Sequence, residues 1–377
     1  MRAVVAGYFR SPFTPAKRGE LAKTRPDDIA AMVVNGLLKK TGVNPSLIED
    51  LIVGTAFPEA EQGFNVARMI TFLSDLPETV PGVTINRFCG SSMQAIHDAV
   101  GRISMGAGEA FIAGGVESMT RIPMTGFNPM PNPKLSQEYP EAFTSMGITA
   151  ENLAREYSID RETQEKFAIE SQQRASKFKD SGSFKEEIIE IKTKNGIVDS
   201  DGCIRPETDA VGLSKLNPAF DSKGTVTAGT ASPLTDGAAF VLVCSENFAK
   251  ENGLTPLARV LSTAVSACKP EIMGIGPVEA TRKALIRADI SISDIGIIEL
   301  NEAFAAQSLA VISELNLDIS KVNIEGGAIA LGHPLGASGA RITGKAALLM
   351  SKNKEKYALA TMCIGGGQGI ATILERI

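Results

Sequence analysis

Short apolar runs and longer amphipathic stretches take turns along the first part of the chain. Val4 to Tyr8, Leu51 to Thr55, Gly82 to Asn86 and Ala110 to Ala113 have the apolar, β-branched character of buried strands. Between them, Pro26 to Lys40 and Ser91 to Gly106 repeat their apolar positions at helical spacing. Such alternation predicts a mixed or parallel sheet covered by helices, an α/β architecture. From about Glu117 to Ser222 the pattern changes. A polar, Pro-rich stretch (Pro129 to Pro140), a charged helix from about Asp160 to Asp180 and scattered apolar pieces read as an excursion inserted into the first α/β unit. Ala238 to Cys244 is again a buried-strand run. From about Leu257 alternation resumes, with a strand at Val260 to Ser266, a helix after Pro277 and a strand at Ile295 to Leu300. A helix from Glu302 follows, and a strand pair around Ala358 to Thr361 and Ile370 to Leu374 ends the chain.

The two regular stretches resemble each other. Leu37 to Ile52 and Ala284 to Ile297 both run from a helix end with basic residues through a turn and an I-x-D step into a strand. Aligning Asp50 with Asp294 gives an offset of 294 − 50 = 244, and the same offset carries Cys89 onto His333. Halves of a duplicated fold pack about a pseudo-twofold axis, so loops at equivalent positions can meet across it. The reading divides the chain into a first half at 1–250, interrupted by a loop domain at about 117–222, and a second half at 255–377.

Composition narrows the functional classes. A net charge of −5 over 377 residues offers no electrostatic footprint for nucleic acid or an anionic membrane surface. No apolar run approaches the roughly 18 residues that span a bilayer. The first residues lack the features of a secretory or transit segment, and the closing Glu-Arg-Ile is no peroxisomal address. A cytoplasmic protein is expected. Five cysteines at scattered spacings, with no C-x-x-C pair, argue against a disulfide framework or a metal site and suit a reducing compartment. There are only two histidines, His97 and His333.

Cys89 stands between a strand and a helix expected from about Ser91. The orphan N–H groups and dipole of a helix N-terminus lower a thiol pKa, which would make Cys89 a nucleophile; an inert, buried cysteine is the alternative. Gly90 leaves room for a substrate carbonyl. His333 lies in a glycine-rich loop, GHPLG, where an imidazole can transfer protons near neutral pH or simply be a hydrogen-bonded loop residue. His97, on the helix after Cys89, reads as a packed or capping residue. Cys363 precedes Gly365, Gly366, Gly367 and Gly369. The third glycine of a phosphate-binding fingerprint is missing, so a tight turn presenting a thiol and backbone donors is the better reading. Asn301 occupies a place where a helix N-cap would stand, yet an Asn there can also orient a water.

Six ordered segments then carry a family resemblance: CGSSMQA at Cys89, GTVTAGTASPLTDGA from Gly224, MGIGP from Met273, NEAF from Asn301, GHPLG from Gly332 and CIG from Cys363. Together they resemble the thiolases over essentially the whole chain. The wording at Cys89, IRPET from Ile204 and the closing CIGGGQGIATILER look most like degradative 3-ketoacyl-CoA thiolases, including the thiolase subunit of fatty-acid oxidation complexes. The resemblance implies two α/β halves in a five-layer αβαβα arrangement with an inserted loop domain. It implies that Cys89 is acylated, His333 activates it and Cys363 is a second acid/base. Asn301, through a water, and His333 would form one oxyanion hole; the N–H groups of Cys89 and Gly365 would form the other. Met146, Ser262, Ala303 and Phe304 would line the pocket for CoA and thioester. Coenzyme A would be a co-substrate, with no tightly bound cofactor and no metal. A homodimer or homotetramer is implied, with a hydratase/dehydrogenase subunit as a further partner.

The implied activity is thiolytic cleavage of 3-ketoacyl-CoA in fatty-acid β-oxidation. An acetoacetyl-CoA thiolase condensing two acetyl-CoA is the alternative, weakened because Ser145 stands before Met146 and Gly147 where short-chain members carry His. A ketosynthase shares the doubled fold but needs two histidines in the site, and His97 would have to be one of them. A catalytically silent CoA-binding subunit would have no need of all three reactive side chains.

Overall fold

The structure, a computed structural model, describes residues 2–377. Its first unit contains β1 (Ala3–Arg10), the short β2 (Thr14–Pro15), α1 (Pro26–Thr41), β3 (Asp50–Gly54), α2 (Val66–Leu73), β4 (Gly82–Ile85), α3 (Ser91–Met105) and β5 (Ala110–Ser118). α1 shows how locally these elements are specified. Pro26 and two acidic residues, Asp27 and Asp28, open it; Lys39 and Lys40 lie in its last turn; and Gly42 ends it at φ 71°, donating to Leu38 O. After β5 the chain leaves the sheet for α4 (Pro133–Glu138), α5 (Met146–Glu156), α6 (Arg161–Asp180), β6 (Ile191–Thr193), β7 (Gly196–Val198) and α7 (Ala210–Ser214). It returns with β8 (Thr235–Ser245) and α8 (Glu246–Glu251). The second unit runs through β9 (Ala258–Ala267), α9 (Gly276–Ala288), β10 (Ile295–Leu300), α10 (Ala305–Leu315), α11 (Ala328–Leu331), α12 (Leu335–Asn353), β11 (Tyr357–Ile364) and β12 (Gln368–Glu375).

The strands repeat one topology. In the first unit the order is β4-β3-β5-β8-β1, with β4, β3 and β5 parallel and β8 antiparallel to both β5 and β1. In the second, β10-β11-β12-β9 has the same senses, and a single parallel bridge from Val322 to Ile298 stands where β4 stands in the first. β1 and β9 join the two through the pairs Val4–Arg259 and Val5–Ala258.

Alternate strand residues feed three apolar layers. Leu51, Val53, Ile112 and Leu242 pack under α1 and α2. Leu359, Ala371 and Ile373 pack under α9 and α10. The opposite faces of both sheets, with Ile52, Ala113 and Val241 on one side and Ala360, Met362 and Ile370 on the other, enclose α3 and α12. Helix, sheet, central helix pair, sheet and helix make the five-layer arrangement that the resemblance implied.

α3 starts at Ser91 and α12 at Leu335, and 335 − 91 is again 244. The two helices touch closely. A Cβ on Gly339 would come within 2.5 Å of Met93 N, and Ala340 N donates to Ser92 Oγ at 2.8 Å. Deeper along α12, a buried ionic cluster ties it to β1 and the excursion. Arg10 bonds Asp201 at 2.7 and 2.8 Å and Glu187 at 2.7 Å, while Lys345 bonds Glu187 at 2.8 Å.

The helix expected from Glu302 begins later, at Ala305, with the extended Phe304 (φ −146°, ψ 147°) as its cap residue. Asn301 therefore caps no helix. The buried Glu302 carboxylate holds this extended segment in place by accepting from Ser171 Oγ, Asn323 Nδ2 and Ile329 N. Among the described residues no helix is long and apolar enough to cross a membrane.

Candidate active site

Cys89 sits on a tight turn between β4 and α3. Phe88, just before it, has φ +44°, a left-handed conformation that costs a bulky residue energy and must be held by its surroundings. Two side chains do this. Asn86 Oδ1 accepts from Phe88 N at 2.7 Å, and Ser91 Oγ accepts from Arg87 N at 2.8 Å while donating to Phe88 O at 2.6 Å. Gly90 is required by proximity, since a Cβ there would lie 2.5 Å from Ile364 Cδ1 of β11.

His333 occupies the equivalent place in the second half, one residue before the cap Pro334 of α12. Its backbone N–H donates to Thr235 Oγ1 at 3.0 Å, and Gly336 N donates to Glu117 Oε2 at 2.8 Å, so residues of the first half hold the loop. Leu335 packs in the same apolar cluster as Cys89, with Ala56 and Met119. The ring contacts Ser338 Oγ through Nδ1 at 2.6 Å and Asn301 Nδ2 through Nε2 at 3.4 Å. Asn301 is buried, its N–H bonded to Thr361 O at 3.0 Å and its Oδ1 left without a protein partner.

Cys363 lies near the end of β11, and Gly365 to Gly367 turn the chain into β12. Gly366 and Gly367 have φ of 77° and 76°, values that suit only glycine at low cost. The turn is a hairpin, as its composition suggested, and no phosphate cradle. It comes close to the Cys89 turn: a Cβ on Gly365 would lie 3.7 Å from Phe88 Cδ2, and the Gly365 N–H favours the charged form of the Cys89 thiol. Arg87 Nη1 to Gln368 Oε1 at 2.9 Å, and Gln368 Nε2 to Gly365 O at 3.3 Å, tie the two turns together.

The electrostatics differ from the sequence expectation. Loss of water around Cys89 pushes its thiol up to about 11; the Gly365 N–H opposes this, and the Glu117 carboxylate adds to it. Burial outweighs the helix N-terminus, so the free protein carries a neutral thiol and not a ready-made thiolate. Burial also drives Cys363 upward, with Cys89 as the next contributor. His333 is pulled down to about 3, by burial first and Arg341 second. The imidazole and both thiols are therefore neutral at rest. Such a set can pass a proton from sulfur to nitrogen only as a reaction develops.

His97 takes no part. It lies on α3 against β12, with Nε2 2.8 Å from Thr372 Oγ1.

The family model for the thiolase N-terminal domain matches residues 3–247, and that for the thiolase C-terminal domain matches residues 254–376. The chain belongs to the thiolase family. Curated thiolases resemble it end to end. The 3-ketoacyl-CoA thiolase of Bacillus subtilis is 46% identical, covering 99% of each chain, and that of Pseudoalteromonas translucida is 49% identical over 99% of this chain and 98% of its own. Among solved structures, human mitochondrial 3-ketoacyl-CoA thiolase superposes with a TM-score of 0.92 at 39% identity, over 100% of this chain and 98% of that one. A second structure of the human enzyme, in complex with CoA, superposes equally well.

In this thiolase a further apolar cluster surrounds Cys363. Ala303, Phe304 and Met273 belong to it, and Met146, at the start of α5, packs against it. The Met146 sulfur would be 3.6 Å from a Cβ on Gly365, the nearest atom to that open face. The candidate Ser262 does not join this group. It lies mid-strand in β9 opposite Ile373, and its hydroxyl donates to Ala284 O of α9 at 2.7 Å, on the outer side of the sheet. The serine at the site is Ser232, whose N and Oγ both bond Ala303 O, at 3.0 and 3.1 Å. Its neighbour Ala231 bridges Phe304. Ser232 belongs to the GTVTAGTASPLTDGA segment, so the motif itself was the signal that pointed to it.

Proposed function

We propose that this thiolase cleaves 3-ketoacyl-CoA with free CoA, giving acetyl-CoA and an acyl-CoA two carbons shorter, through an acyl-enzyme on Cys89. The observation that carries the proposal is the meeting of two turns from different halves, with Arg87 bonded to Gln368 and Gly90 packed on Ile364, so that Cys89 and Cys363 stand on adjoining turns.

As the 3-keto carbon approaches, Cys89 loses its proton to His333 Nε2 and its sulfur attacks. Negative charge builds on the keto oxygen, which faces the N–H groups of Cys89 and Gly365. The bond between the second and third carbons breaks, its electron pair passing into the enolate of acetyl-CoA, whose oxygen Asn301, through a water, and His333 stabilise, and the Cys363 thiol protonates the second carbon. Acetyl-CoA leaves, and Cys363 remains as thiolate. The thiol of a second CoA gives its proton to Cys363 and attacks the acyl-enzyme carbonyl, whose oxyanion faces the N–H groups of Cys89 and Gly365. Cys89 leaves with the proton held by His333, and the site is restored. Each oxyanion donor contributes roughly 3–4 kcal/mol in comparable holes. Met146, Ser232, Ala303 and Phe304 line the thioester channel.

Residues 1–250 and 255–377 are the two halves of one duplicated unit, with about 117–222 as an inserted loop domain; their shared strand order supports this division. The protein works in the cytoplasm as a homo-oligomer. Among the described residues the outer side of β4 has no partner strand, and Phe64 near it is 92% exposed, an unpaired edge beside an apolar patch of the kind a second copy covers. Light scattering after size exclusion that gives only a monomer would remove that part of the proposal.

Turnover is tested with acetoacetyl-CoA and a longer 3-ketoacyl-CoA, following loss of the ketoacyl absorbance on addition of CoA. Cys89→Ala is expected to abolish it and to prevent inactivation by iodoacetamide, while the fold persists. Thiolysis by Cys89→Ala at the wild-type rate would refute the mechanism.

A further inference from the structure

His333 is gripped at both ring nitrogens by residues from different elements. Nδ1 is 2.6 Å from Ser338 Oγ and Nε2 is 3.4 Å from Asn301 Nδ2. Ser338 is 1% exposed and sits in the first turns of α12, where its hydroxyl also reaches back four residues to Pro334 O at 3.0 Å. These three contacts constrain the protons. A hydroxyl has one proton to give, and a carbonyl oxygen can only accept. With that proton directed to Pro334 O, what Ser338 offers Nδ1 is a lone pair, so Nδ1 carries the ring proton. Nε2 is then an acceptor, which suits the Asn301 amide N–H on its other side.

We propose that Ser338 is a positioning residue that fixes His333 in its Nδ1–H tautomer, leaving Nε2 unprotonated and able to take a proton. This rests on the reading of His333 as the base that activates Cys89. The proton balance is simple. The S–H bond of Cys89 breaks with its electron pair remaining on sulfur, a new N–H bond forms at Nε2, and the imidazolium is held through Nδ1–H by the Ser338 oxygen. That oxygen is neutral, so it orients the ring without the charge of a carboxylate, and it stabilises the imidazolium less than a carboxylate would. The result is a base that takes the proton only while sulfur is attacking and returns it when sulfur leaves. A carboxylate in the same place would favour a standing thiolate–imidazolium pair, which the buried surroundings of both groups oppose.

The presence of only two histidines makes the tautomer directly measurable. In protein labelled with nitrogen-15 at histidine, His97→Gln assigns the His333 signals. At neutral pH, wild type is expected to show Nδ1 protonated and Nε2 unprotonated. The reverse pattern would overturn the proposal whatever the activity, and this spectrum decides the matter even if a Ser338 variant does not fold. Ser338→Ala is expected to give a mixture of tautomers and to lower kcat by at least about tenfold, within the ~10²–10⁴ that a positioned base supplies, with KM little changed. Ser338→Thr, which keeps the hydroxyl, is expected to restore the single tautomer and most of kcat. A Ser338→Ala protein with the wild-type tautomer and wild-type kcat would also overturn it. The base assignment fails separately, if His333→Asn turns over at the wild-type rate, an assay on which the nitrogen spectrum does not depend.

Discussion

The carboxylate of Glu117 accepts a hydrogen bond from Gly336 N–H at 2.8 Å across 219 residues of sequence, and one from Ala56 N–H at 2.7 Å. One side chain at the end of β5 thus holds the loop that carries His333 against the first half. Burial pushes the Glu117 carboxyl up, and the donors at Ala56, Gln62, Gly336 and Thr55 pull it back.

Replacing Glu117 by Ala leaves two buried N–H groups without acceptors, at about 1–3 kcal/mol each. The expected outcome is a clear fall in Tm together with a fall in kcat, because Gly336 is three residues from His333. Glu117→Gln keeps an acceptor oxygen and should be milder in both. Thermal melts and steady-state assays of the two variants check this, and a Glu117→Ala protein with unchanged Tm would contradict it.

The neutral Cys89–His333 pair predicts a particular alkylation profile. With the thiol at about 11 and the imidazole at about 3, the iodoacetamide rate in the absence of substrate should climb steadily through neutral pH toward about pH 11. A plateau already reached by pH 7 would reveal a standing thiolate–imidazolium pair instead. The measurement is the rate of Cys89 modification followed by mass spectrometry.

Asn301 offers an unpaired Oδ1 in a buried site and an amide N–H toward His333. With the oxyanion role proposed for it, Asn301→Ala is expected to lower kcat by about 10²–10³ with a smaller change in KM. Tm is a useful control, because Asn301 caps no helix. Loss confined to KM would place Asn301 in substrate binding.

The buried ionic cluster predicts an acid-dependent stability. Burial alone would raise the Glu187 carboxyl, but Lys345 and Arg10 outweigh it and bring it from 4.5 down to about 2. A lowered carboxyl stabilises the fold above its ordinary value and loses that contribution as pH falls from 4.5 toward 2. Glu187→Gln should therefore be destabilised by roughly 3–5 kcal/mol at pH 7, where Arg10 and Lys345 lose their shared partner, with the gap narrowing below pH 4.5. Urea midpoints at pH 7 and at the lowest pH that retains the fold measure this. A gap that widens on acidification would reverse the sign.

Much of the layering was readable from residue pattern. Strands such as Ile295 to Leu300 and helices such as Pro26 to Thr41 announce themselves through apolar spacing and end residues, which are local properties. The duplication was also legible, because Asp50 and Asp294 share a spacing with Cys89 and His333. The helix after β10 was placed three residues early, since Asn301 and Glu302 look like a cap and a first turn. Their side chains bond instead to residues distant in sequence, including Ser171 and His333. Ser262, which the resemblance implied for the pocket, lies instead with its hydroxyl on α9, while Ser232 packs beside Ala303. Both are serines in apolar surroundings, and only the path of the backbone turns one toward Ala303 and the other toward α9.

Periodicity and end residues depend on neighbours along the chain, so the order of strands and helices, the repeated unit and the candidate reactive side chains were all present in the amino-acid string. The protonation states were not. A helix N-terminus would lower the Cys89 thiol, and its burial between two halves raises it. Burial is a sum over residues brought together from everywhere in the sequence, so the outcome of that competition, like the approach of Gly365 to Cys89 and of Ser338 to His333, was decided by the packing of α3 against α12 between the sheets.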